Sequence, residues 1–159
     1  VALSIVQHKG WALRYVSEEL QMDHEVVLLA VSQDMWALQY ASEELRADRD
    51  LVLAAAEHDD RGVRYAAEGL LADGAFMLQV AEASGRALEY AAEVLRSDKA
   101  FALEAILRNP RCLEHAKAEM RADRNFLAEA LQLRGSALLW APEDARSDRE
   151  LVLVALRQD

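Results

Sequence analysis

"WALQYASEELRADRDLVLAA", residues 36–55, rewrites the stretch "WALRYVSEELQMDHEVVLLA", residues 11–30, in slightly altered letters. The two copies lie 25 residues apart, and that spacing runs on through the chain. Asp23, Asp48, Asp73, Asp98, Asp123 and Asp148 each stand 25 residues from the next, with no insertion or deletion. Counting each aspartate as position 0, position 15 reads Leu13, Leu38, Val63, Leu88, Leu113 and Leu138. Position 18 reads Val16, Ala41, Ala66, Ala91, Ala116 and Ala141, and position 17 reads Tyr15, Tyr40, Tyr65, Tyr90, His115 and Trp140. A fixed period of this length is the mark of a repeat architecture.

Every repeat holds two helical phrases. The first follows the aspartate, as in "DRDLVLAAAEH", with apolar residues at positions 3, 4, 5, 7 and 8. At 100° per residue these cover an arc of about 200°, wider than the roughly 100° stripe of a surface helix, so two neighbours should wall it in. The aspartate is placed to cap that helix, accepting free N–H groups of the first turn. Glu25, Asp50 and Glu150 add the sign of charge that suits a helix start. The second phrase, "ALQYASEELR", puts positions 14, 15, 18 and 22 on one narrower stripe. Position 19 ends as Pro142, and "SEEL" reads as a fresh helix start, so the second helix should kink or restart there. A single repeat buries too little apolar surface to offset its chain entropy, and the repeats must therefore share a core with their neighbours. The predicted fold is all-α, an α-solenoid of stacked two-helix units. It forms one array over 1–159, with a partial repeat at 1–22, repeats from 23, 48, 73, 98 and 123, and a partial repeat at 148–159.

The phrases "DHEVVLLAVSQ" and "ALQYASEELRAD" closely resemble the helical repeats of the family called domain of unknown function 4116. The shared motif is the aspartate, the Val-Val-Leu-Ala cluster and the Tyr-Ala-Ser-Glu phrase, and it covers essentially the whole chain. The resemblance implies tandem helical repeats and carries no activity with it. Later repeats depart from the pattern at His115, Ala128, Trp140 and Pro142, where regular geometry is least expected.

Composition narrows the function. Of 159 residues 53% are hydrophobic and 29% charged, as in ordinary folded domains. A formal charge of −10 opposes binding to nucleic-acid phosphates or an anionic membrane and favours a basic protein partner. No apolar run is long enough to span a bilayer, and "VALSIVQHKG" lacks the features of a signal peptide. One cysteine, Cys112, cannot make an internal disulfide, so a soluble protein of a reducing, intracellular compartment is expected.

Catalytic chemistry finds little support. His8 and His58 share position 10 two repeats apart, too distant for a common metal ion. His24 falls in a first turn, and His115 replaces a tyrosine. Cys112 takes a small position otherwise held by alanine or glycine, where a thiol is a small hydrophobe. The pairs Glu18–Glu19, Glu43–Glu44 and Glu143–Asp144 lie on the polar face of the second helix, with Arg46, Arg96 and Arg146 three residues after Glu43, Glu93 and Glu143. No catalytic residue, metal or cofactor is expected.

Two surfaces are candidates for a partner. Position 13 reads Trp11, Trp36, Arg61, Arg86 and Arg111, then Ser136, facing away from the apolar stripe, and Trp and Arg are common binding hot spots. Glu18, Glu43, Glu68, Glu93 and Glu143 form an acidic ledge that suits a basic protein. The tyrosine row at position 17 is expected to pack along the core. Val1 falls midway into a first helix and Asp159 ends another, so further repeats or another chain should cap the ends. The expected function is a non-catalytic scaffold or protein-binding module. A structural subunit of a larger assembly is the alternative, and an enzyme or small-molecule binder would need a deep polar pocket.

Overall fold

The computed structural model describes residues 8–58 and 60–158, with the side chains of Met35 and His58 outside that description. The expectations for Val1, Asp159 and the His58 imidazole fall on residues or side chains outside it. All regular secondary structure among the described residues is helical. The longer helices are α1 (His24–Gln33), α2 (Arg49–His58), α3 (Gly74–Ala83), α4 (Lys99–Arg108), α5 (Arg124–Leu133) and α6 (Arg149–Leu156). The chain divides into two compact units, Val1–Phe76 and Met77–Asp159.

Each long helix begins where the sequence places its aspartate. Asp23 accepts the N–H groups of Glu25 and Val26, at 3.0 and 3.1 Å. Asp48 accepts from Leu51 and Asp73 from Phe76, both at 3.0 Å. Asp98, Asp123 and Asp148 do the same for α4, α5 and α6. The cap bonds are made by Oδ1. In Asp48, Asp73, Asp123 and Asp148 the other oxygen, Oδ2, faces the repeat before. It meets Arg49 at 2.7 Å from Asp73, Lys99 at 2.5 Å from Asp123, and Arg124 at 3.0 Å from Asp148. His24 approaches Asp48 in the same way at 3.8 Å. One carboxylate thus starts its own helix and holds the first residue of the helix before it.

The buried stripe of the long helices is narrower than the sequence suggests. In α1 it consists of Val26, Val27, Ala30 and Val31, and in α4 of Phe101, Ala102, Ala105 and Ile106. Position 5 sits at its edge, where Leu28 keeps 37% of its surface exposed. A residue one step past the central pair rotates toward solvent, which trims the arc that the apolar letters implied.

The second phrase is not one helix. It opens as a 3-10 helix in Gly10–Tyr15, Met35–Tyr40, Asp60–Tyr65, Pro110–His115 and Gly135–Trp140, and as one α-turn in Ala87–Tyr90. Positions 18 and 19 are then extended, with Ala41 at φ −71°, ψ 156° and Pro142 at φ −55°, ψ 155°. A short α-helix follows, such as Glu43–Arg46 or Glu143–Ser147. Each repeat therefore has three helical segments, a correction to the two-helix unit. The restart occurs in every repeat, and Pro142 fits because its fixed φ matches a backbone already extended there. Ser42 caps its short helix, its Oγ accepting the Leu45 N–H at 3.4 Å, whereas Ser17 makes no such bond.

The extended dipeptide also joins repeats. Within the first unit the Ser42 N–H donates to the Gln21 carbonyl at 3.0 Å, and the Ala67 N–H to the Arg46 carbonyl at 2.8 Å. Helix α1 packs on α2, and the 3-10 segments of residues 10–15, 35–40 and 60–65 pack in series. Gly10 comes so close to the next repeat that a Cβ would lie 2.3 Å from the Ala30 carbonyl oxygen. In the second unit α4 packs on α5 and α5 on α6. The core rows are small residues of position 14 (Ala12, Ala37, Gly62, Ala87, Cys112, Ala137) and larger ones of position 15, from Leu13 to Leu113.

The joint aspartates have a pH signature. The Phe76 N–H and Arg49 hold Asp73 below the usual carboxylate range. Lys99 and the Phe126 N–H do this for Asp123, and Arg124 and the Leu151 N–H for Asp148. A depressed native pKa contributes stability above the unfolded value, about 3.9, and that stability is lost as the pH falls through the native value. Changing all three to Asn keeps a competent cap and removes the ion pairs. The triple variant should melt lower than wild type near pH 7, with the gap closing below about pH 3, as followed by circular dichroism across pH.

Candidate binding surface

Position 13 opens each 3-10 segment on the side away from its buried Ala-Leu pair, and Trp11 and Trp36 remain 48% and 37% exposed. The row is not a simple line of tryptophans beside arginines. Trp36 and Arg111 reach forward to position 17 of the next repeat. Trp36 meets Tyr65 edge to face, with ring centroids 5.7 Å apart, and the Arg111 guanidinium lies 5.3 Å from the Trp140 ring centroid. Such contacts are worth about 0.5–1.5 kcal/mol beyond buried area. Within each unit, positions 13 and 17 of consecutive repeats thus meet through aromatic rings and planar cations. Sequence spacing alone placed them in separate rows.

Position 17 itself varies widely. Tyr90 is buried, while Tyr15 is 71% exposed, so the expectation that this row packs along the core does not hold at Tyr15. Trp11 stands edge-on to Tyr15 at 6.0 Å, with Lys9 5.9 Å from the Trp11 ring and Arg14 5.6 Å from the Tyr15 ring. This exposed group of two rings and two cations was hidden in the sequence, because Lys9 and Arg14 are not periodic.

In the second unit the equivalent positions carry a group of charged side chains. Arg86 pairs with Glu89 at 2.8 Å, Glu89 with His115 at 3.4 Å, and Arg111 with Glu114 at 3.4 Å. Burial lowers the His115 pKa against the opposing pull of Glu114 and Glu89. Gly85 lies under this group, and a Cβ there would come within 2.6 Å of the Arg111 side chain.

The acidic ledge is exposed at Glu18, Glu43, Glu68, Glu93 and Glu143. Glu93 is the engaged member, bonded to Lys117 of the next repeat, to Ser97 at 3.2 Å and near Arg96 at 3.9 Å. Lys117 holds its carboxyl below the usual range. Arg46, Arg96 and Arg121, all at position 23, turn a shielded Nε inward without a hydrogen-bond partner.

Cys112 is fully buried against the preceding repeat, with Sγ 4.0 Å from the Ser84 carbonyl, and burial pushes its thiol up to about 12. Among the described residues no group of three or more His, Cys, Asp and Glu side chains could hold a metal ion. No helix among them is long and apolar enough to cross a membrane.

The described residues form an all-helical structure in which, within each unit, side chains at equivalent offsets meet. The family "Domain of unknown function (DUF4116)" matches residues 1–46 and 73–121, more than half of the chain, and the chain belongs to that family. No curated protein and no solved structure matches it.

A thiol so held is a poor nucleophile at neutral pH. Native protein treated with a thiol reagent such as Ellman's reagent near pH 8 should release less than one tenth of the colour of protein unfolded in guanidinium. Rapid full reaction in the native state would contradict the buried setting.

Proposed function

We propose that the chain is a non-catalytic α-solenoid, its 25-residue repeats stacked serially, that serves as a scaffold or protein-binding module. The ladders within each unit support serial stacking, because equivalent positions of consecutive repeats meet: the clamp aspartates with the cations of position 1, and position 13 with position 17. In such an array each repeat depends on its nearest neighbours, so removing one whole period leaves a shorter array of the same kind. A variant lacking residues 98–122 should fold cooperatively, with a denaturant slope reduced roughly in proportion to its length. Loss of cooperative unfolding would refute serial stacking.

The observation that carries the binding role is the exposed ring-and-cation surface, from Lys9, Trp11, Arg14 and Tyr15 to Trp36 and Tyr65. Exposed tryptophan and tyrosine offer large contact area at low entropic cost. The acidic ledge and the charge of −10 favour a basic protein, and nucleic acid is disfavoured. A reducing intracellular compartment suits the single buried thiol. A second reading, a structural subunit embedded in a larger assembly, draws on Leu139 and Val94, which are 74% and 69% exposed. A subunit would require a permanent partner over those residues, whereas a module binds reversibly through the rings.

The double substitution Trp11→Ala and Trp36→Ala tests the module. Proteins retained on the immobilised wild-type chain should be lost from the variant while its helical content is unchanged. Retention of the same proteins at equal affinity would remove this surface from the proposal.

A further inference from the structure

In the second unit, two successive joints between repeats form grooves from equivalent residues, and the two are finished in opposite ways. The earlier groove, about 310 Å³, is crossed by Lys117, whose ammonium meets Glu93 and lies 2.8 Å from the Ser97 Oγ. The later groove has Pro142 in place of Lys117, Ala118 in place of Glu93, and Ala122 in place of Ser97. Ala145 replaces Met120 beneath. These four exchanges remove the polar bridge and shorten the floor, and the groove widens to about 480 Å³. Leu127 and Leu151, both buried, form its apolar base.

Pro142 has no N–H to offer the Arg121 carbonyl, the atom equivalent to the Gln21 and Arg46 carbonyls that accept from Ser42 and Ala67 in the first unit. Four charged side chains line the groove. Arg124 and Asp148 hold each other at 3.0 Å, and Arg124 is further bonded to Glu150. Arg121 turns its shielded Nε inward without a partner. Asp144 is exposed, with no cation at ion-pair distance among the described residues.

We infer that this groove is a docking slot for an extended peptide carrying an aliphatic side chain next to a lysine or arginine. The aliphatic group fills the space over Leu127, Leu151 and Ala145, where the neighbouring groove is already spanned by Lys117. The peptide's own N–H supplies the donor that Pro142 lacks. Its cation meets Asp144, and the charge of −10 on the whole chain draws a basic segment toward it. This inference rests on the protein-binding reading and names a partner chemistry for a second surface, separate from the tryptophans.

The test is a display of random linear peptides panned against the full chain. The expected outcome is enrichment of sequences with an aliphatic residue adjacent to Lys or Arg. A triple variant, Ala118→Glu, Ala122→Ser and Pro142→Lys, rebuilds the bridge of the neighbouring groove. It should weaken the enriched peptides by roughly tenfold or more, as expected for one buried aliphatic group. If that variant fails to melt as wild type does, Ala145→Met alone, which restores the methionine of the earlier groove, serves the same end. Asp144→Asn should remove the preference for the basic residue and keep that for the aliphatic one. No enrichment, or a motif flanked by acids that pairs with Arg121, overturns the inference. Enriched peptides unaffected by filling the groove but lost with Trp11→Ala and Trp36→Ala overturn it too, and leave the binding-module reading standing.

Discussion

The structure depends on a carboxylate that works in two directions. Oδ1 of the period aspartate closes the first turn of its own helix, and Oδ2 takes a cation from the helix before, as Asp73 does with Arg49 and Asp148 with Arg124. Neither task is strong alone: a cap is worth about 1 kcal/mol, and an exposed ion pair less. Their union in one residue fixes the start of a helix relative to its neighbour, which apolar contact alone leaves free to slide. The cap recurs at all six aspartates, whereas position 1, which supplies the cation, holds Gly74 before Asp98.

The rest of each joint elaborates that register. The extended residues at positions 18 and 19 bring a backbone N–H against the preceding short helix, as Ser42 and Ala67 show. The small residue at position 14, Cys112 among them, lets the 3-10 segment lie close to the long helices. Position 13 then reaches the ring of the next repeat. Polar, backbone and aromatic contacts thus share one offset of about a full period, and a change at one position acts first on the adjacent joint.

Much of this was legible in the letters. The caps, the buried stripe and the break after position 18 followed from aspartate spacing, apolar periodicity and "SEEL" with Pro142. The 3-10 winding was not, because "MWALQY" has the composition of an ordinary α-helix, and its packing against α1 is not written in its letters. Leu28 misled by hydrophobicity, since its angle around the helix, a matter of degrees, decides its exposure. The pairing of Arg111 with Trp140 needs the three-dimensional offset between repeats. The open groove was half visible: Pro142 stood out as a departure, whereas Ala118 and Ala122 looked like unremarkable alanines until Lys117 showed what they omit.

The residue opposite Oδ2 differs from joint to joint, and this grades the seams in their response to ionic strength. Arg49 lies in direct contact with its aspartate at 2.7 Å, while His24 stands 3.8 Å away and carries charge only when protonated. Added salt screens exposed charges, so the Arg49 seam, in direct contact, has attraction to lose and the His24 seam, whose partners stand farther apart, has less. Within the first unit, concentrated salt therefore evens out two joints that dilute buffer keeps unequal, and the place where the chain first frays depends on the solvent as well as on the fold.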